Sequence, residues 1–355
     1  MTAATGVHLV PVRAAHRIDE PALARYLRPL LPGFDGGFQV AQFQGGQSNP
    51  TYCLTTPAGR YVLRKKPPGT LLASAHAVDR EFRVMRALAG SPVPVPPVRV
   101  LCEDAGVIGQ AFYVMDFVEG RIFEDPRLPG CTGDDRARIY DDMNRVLAAL
   151  HAIDPVAVGL DGFGRPHGYM ARQISRWSQQ YRASAVDDVP AMNSLMDWLA
   201  ERAPDVADET AIAHGDYRPG NLLIHPTEPR IIGVLDWELS TLGHPLADLA
   251  YNCQIYHLGD RYPGPAMARA DLAGMPSEAD YLAAYCRRTG RDGIADWPVF
   301  LAFSFFRGAA IGAGVYRRGL DGNAADAQAL ERGALYKLFA EIGWDIARGR
   351  VWAFL

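Results

Sequence analysis

A chain of 355 residues with 48% hydrophobic side chains can bury one or two cores and has the composition of an ordinary globular protein. Its formal net charge of −4 gives no basic footprint, which excludes nucleic acid as a partner on charge grounds. Five scattered cysteines (Cys53, Cys102, Cys131, Cys253 and Cys286) with no C-x-x-C pair argue against a disulfide scaffold or zinc site, and for reduced thiols in a cytoplasmic compartment.

Residues 1–18 show no clear period and read as a loose arm. A leading helix over 19–32 opens at Asp19-Glu-Pro21, with Asp19 as cap and Pro21 in the first turn, and ends at Pro32-Gly33. No apolar run of signal-peptide type occurs in residues 1–20. From Phe38 the pattern turns β: Phe38 to Phe43 and Thr51 to Thr55 flank Gln44-Gly-Gly-Gln-Ser48-Asn-Pro50, and Arg60 to Lys65 follow. A glycine-rich loop between strands lets backbone N–H groups approach phosphates, so Gly45, Gly46 and Ser48 are candidate nucleotide contacts. The same loop also reads as a plain hairpin turn. Ser74 to Asp79 begins a helix with Val78, Phe82, Met85 and Leu88 on its apolar face and Glu81 on another. Ser91-Pro-Val-Pro-Val-Pro-Pro97 is an extended connection, and strands near Val98 to Cys102 and Ala111 to Phe117, with a turn at Glu103 to Gly106 between them, complete a sheet of about five.

Past a boundary near residue 120 the chain is mostly helical. Thr132 caps a helix to about His151, and helices follow at Met170–Arg182 and Ala191–Glu201. Beyond 212 the chain reads His214-Gly-Asp216-Tyr-Arg-Pro-Gly-Asn221, then a hairpin, then Asp236-Trp-Glu238. Phosphoryl transfer needs a carboxylate to accept a hydroxyl proton, plus an amide and a second carboxylate for Mg²⁺. His-x-Asp-x-x-x-x-Asn has the kinase catalytic-loop spacing, here with Gly215 in the middle. A hairpin over Leu222 to Leu235 brings its outer ends together, so Asn221 and Asp236 are expected side by side as metal ligands, with Asp216 as base. Further helices are read from Pro245 to His257 and from Ser277, Trp297 and Ala324. The most apolar stretch, Leu301 to Tyr316, is interrupted by Arg307 and is too short to span a bilayer, so no membrane partner is expected.

The segment from His214 through Asp236-Trp-Glu and Gly243-His-Pro-Leu-Ala-Asp248, with Tyr61-Val-Leu-Arg-Lys-Lys and the stretch around Glu81 upstream, resembles the aminoglycoside phosphotransferase family. It is closest to the branch associated with acyl-CoA dehydrogenases. The resemblance implies an α+β, bilobal protein-kinase-like fold. A small five-stranded antiparallel N lobe with one helix spans 1–118, a large mainly helical C lobe spans 119–355, and ATP with Mg²⁺ lies between them. It implies that Glu81 partners the cation of the third strand, where Arg64 stands in place of a frequent lysine. Arg64 is preferred for the phosphate contact, with Lys65 as the alternative. It also implies that the backbone at Asp116, Phe117 and Val118 meets the adenine edge, and that His214 and Asp248 brace the catalytic loop.

The acceptor is legible only through charge. Between Gly162 and Val186 there is no Asp or Glu, while Arg172 and Arg176 share a helix face; Trp297 to Leu320 is likewise free of acids and holds Arg307, Arg317 and Arg318. Arginine-rich walls favour an anionic hydroxylated acceptor, and the resemblance to the acyl-CoA dehydrogenase-associated branch implies a hydroxyacyl-CoA; alternatively these arginines are ordinary surface charge. Arg172, Arg176, Tyr217, Arg218 and Glu238 are the candidate acceptor contacts. An aminoglycoside or amino-alcohol kinase would want carboxylates there. A nucleotide-binding pseudokinase that regulates a partner is the alternative of another class.

Overall fold

The structure, a computed structural model, describes residues 8–44, 49–67, 77–258, 273–322 and 329–350. The chain divides into two compact units, Met1–Phe123 with Asn221–Ser240, and Glu124–Gly220 with Thr241–Leu355.

The first unit begins with β1 (Leu9–Val10), α1 (Glu20–Leu27), β2 (Gln39–Phe43), β3 (Thr51–Thr56), β4 (Gly59–Lys65), α2 (Val78–Leu88), β5 (Val98–Cys102), α3 (Ala105–Ile108) and β6 (Phe112–Asp116). Its sheet runs β1-β2-β3-β4-β6-β5, with every pairing antiparallel. The sheet has six strands where five were expected, because Leu9–Val10, read as part of a loose arm, pairs with Gln42 and Phe43. A two-residue strand is too short to show a period in sequence. Asp19 caps α1, its carboxylate accepting from the Ala22 N–H at 2.8 Å. Leu23 and Leu27 then bury with Leu31, Phe34, Tyr52, Leu63 and Phe112 in one core, each fully buried side chain of this kind contributing roughly 1.5–3 kcal/mol. The turn expected at 103–106 is the start of the short helix α3, capped by Asp104 through the Gly106 N–H at 2.7 Å.

The second unit opens with α4 (Gly133–Ala152), capped by Thr132 through the Asp135 N–H at 3.1 Å, then α5 (Tyr169–Ser184), α6 (Pro190–Arg202) and β7 (Ala211–Ala213). The chain next returns to the first unit as the hairpin β8 (Leu222–Ile224) and β9 (Ile231–Val234). Sequence reasoning assigned everything beyond 119 to the helical part. The hairpin instead belongs with the sheet unit because backbone bonds tie it there: Arg121 and Ile224 exchange N–H···O bonds of 2.7 and 2.8 Å, and the Val234 N–H donates to Pro94. The chain then re-enters the second unit with β10 (Thr241–Gly243), paired with β7, followed by α7 (Pro245–Cys253), α8 (Glu278–Thr289), α9 (Trp297–Leu320), α10 (Ala329–Ala334) and α11 (Tyr336–Ala347). Helix α9 continues through Arg307 and reaches 24 residues, so by length and composition it could cross a membrane, contrary to the sequence reading. Most of it is buried among α5, α7, α10 and α11, as the core helix of this unit.

Candidate active site

In the first unit the hairpin does what its sequence promised. Leu222 pairs with Val234, and the Leu235 N–H donates to the Asn221 carbonyl at 2.9 Å, so Asn221 and Asp236 stand at the same end. Asp236 has left-handed backbone angles of 61° and 64°. Aspartate tolerates that region better than most residues, yet holding it there costs on the order of 1–3 kcal/mol and marks a position fixed by its surroundings.

The Asp236 carboxylate accepts from Arg64 Nη2 at 2.7 Å. Arg64 Nε lies 3.0 Å from Glu81 Oε2, an ion pair whose angle falls short of a hydrogen bond, and Nη2 lies 3.5 Å from Glu238. Strand alternation puts Lys65 on the opposite face; it is buried and donates to the Ile108 carbonyl at 3.2 Å, which withdraws it as a phosphate contact. Glu81 is not on a separate helix face. Three residues after Val78 and four before Met85, it lies on the buried stripe of α2 and is 1% exposed. Asn49 Nδ2 at 2.9 Å and the Tyr113 hydroxyl at 3.1 Å also donate to it. Burial pushes the Glu81 carboxyl up to about 7; Arg64 and Tyr113 pull it down, while Asp236 and Glu238 add to the rise. One guanidinium here faces three carboxylates.

The strand end at 116–118 is more committed than expected. The Asp116 carboxylate takes a two-pronged bond from Arg99 at 2.8 and 2.6 Å, its N–H donates to Pro97, and the Phe117 N–H donates to Arg60. Arg60 covers the Phe117 ring at 3.9 Å, and Val118 is partly buried. The expected phosphate contacts Gly45, Gly46 and Ser48 lie outside the described residues.

In the second unit the loop after β7 carries His214-Gly215-Asp216. Gly215 adopts φ 83°, a conformation that favours glycine and explains that residue in the middle of the motif. Asp248, at the start of α7, accepts from the His214 N–H at 2.7 Å and the Gly215 N–H at 2.8 Å. His151 Nε2 lies 3.3 Å from the same carboxylate, while its Nδ1 meets the Tyr285 hydroxyl at 2.7 Å. Burial alone would raise Asp248, yet His151 and the His214 amide bring it below the usual range, so it stays an anion inside the unit. His214 is fully buried, and its Nδ1 accepts from the Asp216 N–H at 3.2 Å. Both residues expected to brace the loop are therefore hydrogen-bonded into it.

Asp216 itself accepts a hydrogen bond from the Tyr251 hydroxyl, and Arg218 Nε lies 3.7 Å from its other oxygen. Burial pushes the Tyr251 phenol up and the Asp216 charge adds to the rise, so Tyr251 remains a donor. Sequence reasoning missed Tyr251. The available signal was its place three residues after Asp248, on the same face of a helix. Tyr217 is fully buried with its hydroxyl on the Met143 carbonyl at 2.8 Å, so it is not an acceptor contact. Arg218 pairs with Glu124 at 2.9 Å, and Glu238 belongs to the Arg64 cluster. Arg172 donates to the Arg165 carbonyl at 2.7 Å, while Arg176 extends over Trp177. A cavity of about 130 Å³ beside Asp216 is lined by Glu124, Tyr140, Met143, Arg218, Tyr251 and Ile255 among others. A larger cleft of about 420 Å³ by Cys286, Arg291 and Trp297 shares none of these residues.

A crystal structure from Ralstonia eutropha, described provisionally as an aminoglycoside phosphotransferase, superposes with a TM-score of 0.83 at 48% identity, covering 94% of this chain and 99% of that one. Mouse acyl-CoA dehydrogenase family member 10 is 45% identical over 341 residues, 95% of this chain but 32% of its own length, so the chain spans about a third of that relative. At the level of fold alone, the aminoglycoside phosphotransferase APH(4)-Ia, solved as a ternary complex with AMP-PNP and hygromycin B, matches at 17% identity and a TM-score of 0.61, covering 92% and 99% of the two chains. The α+β kinase-like fold and the family resemblance read from the sequence are borne out. Residues 39–299 match the APH phosphotransferase enzyme family, and the chain, with its kinase-like fold, belongs to that family.

Proposed function

We propose that this protein is an ATP- and Mg²⁺-dependent phosphotransferase whose acceptor is an anionic hydroxylated small molecule, such as a hydroxyacyl-CoA, in the cytoplasm. The observation that carries the reading is the Arg64 cluster. With the Glu81 carboxyl pushed up to about 7, Asp236 and Glu238 still outnumber the one guanidinium, and that negative surplus favours a divalent cation. The Asn221 amide and the Asp236 carboxylate are hard oxygen donors at one hairpin end and fit Mg²⁺, which keeps waters and takes phosphate oxygens rather than an all-protein cage. When bound, the ion would offset the charge of the transferred phosphoryl group. Arg64, fixed by Glu81, would hold phosphate oxygens. Asp216, oriented by Tyr251 and the His214 amide network, would align the acceptor hydroxyl and accept its proton.

ATP as donor is supported by the AMP-PNP complex of the fold relative. An acyl-CoA acceptor is supported by the relative that carries an acyl-CoA dehydrogenase name, and points to a functional link with such an enzyme. The presence of Asp216, Asn221 and Asp236 together counts against a pseudokinase. The test offers ATP labelled at the γ-phosphate, with Mg²⁺, to hydroxyacyl-CoAs and to aminoglycosides in parallel. Label transfer to a CoA ester, abolished by EDTA, is the expected result. Transfer to aminoglycosides alone would overturn the anionic acceptor.

A further inference from the structure

Beside Tyr251 the second unit carries two arginines, Arg176 and Arg307, stacked near one tryptophan. Arg176 of α5 places its guanidinium carbon 5.4 Å from the centre of the Trp177 ring, and Arg307 of α9 places its own 5.9 Å from the same ring. Arg307 also lies 5.8 Å from the centre of the Tyr251 ring, whose hydroxyl donates to Asp216. Trp177 is fixed in turn by its Nε1–H, which donates to Gln173 at 3.0 Å. Among the described residues no Asp or Glu forms an ion pair with Arg176 or Arg307.

Several features set this arrangement apart. Arg307 is the only charged residue from Leu301 to Tyr316, in a helix otherwise given over to the core. Arg307 is half-buried and Arg176 exposed, so both guanidinium groups remain accessible to a ligand. Ring faces stabilise a guanidinium through its plane but leave the in-plane N–H groups, which match carboxylate and phosphate oxygens, without acceptors. Two guanidinium groups with no carboxylate partner among the described residues share this one indole, so their donors are available to an anion. The charges of Arg307, Arg176 and Arg172 all bear on the neighbouring Tyr169 phenol, which burial pushes up and they pull down. Arg307 is linked to Asp216 through a single side chain, so the negative group it holds belongs near the reacting hydroxyl.

We propose that Arg307 and Arg176, spread over Trp177 and Tyr251, form the subsite that binds the carboxylate or phosphate group of the acceptor. This rests on the reading of the acceptor as an anion and assigns the residues that select it. Arg307 was visible in the sequence as the break in the apolar run, and its position over the tyrosine that holds Asp216 gives that break a use.

The test is binding of three probes to the full chain, followed by calorimetry: 3-hydroxybutyryl-CoA, free 3-hydroxybutyrate and uncharged butane-1,3-diol. The wild type should bind at least one anion saturably, and the arm that binds separates CoA phosphates from a carboxylate as the source of charge. Arg307→Gln should weaken that binding about tenfold or more, the loss of a charge-assisted contact, with Arg307→Lys recovering part of it and diol binding unmoved. Equal affinity of the wild type and Arg307→Gln for the anion would overturn the assignment while leaving the anionic reading intact. No saturable binding of either anion to the wild type would overturn both.

Discussion

Around Arg64 one guanidinium faces Glu81, Asp236 and Glu238, whereas around Trp177 two guanidinium groups face no carboxylate among the described residues. The first region is short of positive charge and the second is short of negative charge. A protein that needed only to fold would gain by pairing such charges internally, since removing ions from water without partners is expensive. The proposed function assigns the metal and nucleotide to the first set of groups and the anionic acceptor to the second.

The largest effect falls on Asp216, the proposed base. Asp216→Asn keeps the loop's hydrogen-bond frame through Asp248 and the backbone but removes the proton acceptor. Turnover should fall about 10²–10⁴-fold with nucleotide affinity unchanged; undiminished turnover would remove Asp216 from the mechanism. A smaller effect sharpens the account of the carboxylate-rich region through pH. Glu81 titrates at about 7 in the folded protein against an ordinary 4.5. Between those values the folded chain keeps a proton that the unfolded chain has lost, so its stabilising contribution, complete below the unfolded value, is lost as pH rises through 7. Urea unfolding without Mg²⁺ should therefore show the wild type losing more stability than Glu81→Gln between pH 5.5 and 8. Parallel losses would mean that Glu81 is ionised throughout.

The sequence was most informative where chemistry and local geometry coincide. Asn221 and Asp236 could be placed at one hairpin end because turn residues and two short apolar runs dictate that return. Asp19 and Thr132 could be placed as helix caps because capping depends on nearest neighbours. Reasoning failed where a residue's role is decided by elements distant in sequence. Arg64 and Lys65 are adjacent cations, and only the packing of α2 and α3 on the two faces of β4 tells them apart. Tyr217 sits one residue from Asp216 yet is buried against Met143, while Tyr251, 35 residues away, is the one that touches it. Charge patterning along α5 and α9 suggested an anion, but only the fold shows Arg176 and Arg307 sharing one tryptophan.

The contrast between the two regions is tested most directly by crossing two substitutions with two kinetic constants. Asp236→Asn and Arg307→Gln are each assayed for the Mg²⁺·ATP requirement and for the KM of whichever anionic acceptor the wild type uses. The account predicts a clean exchange: Asp236→Asn raises the Mg²⁺ and ATP requirement and spares the acceptor KM, whereas Arg307→Gln raises the acceptor KM and spares the nucleotide. If both variants moved both constants together, the division of labour between the carboxylate-rich and arginine-rich regions would be wrong.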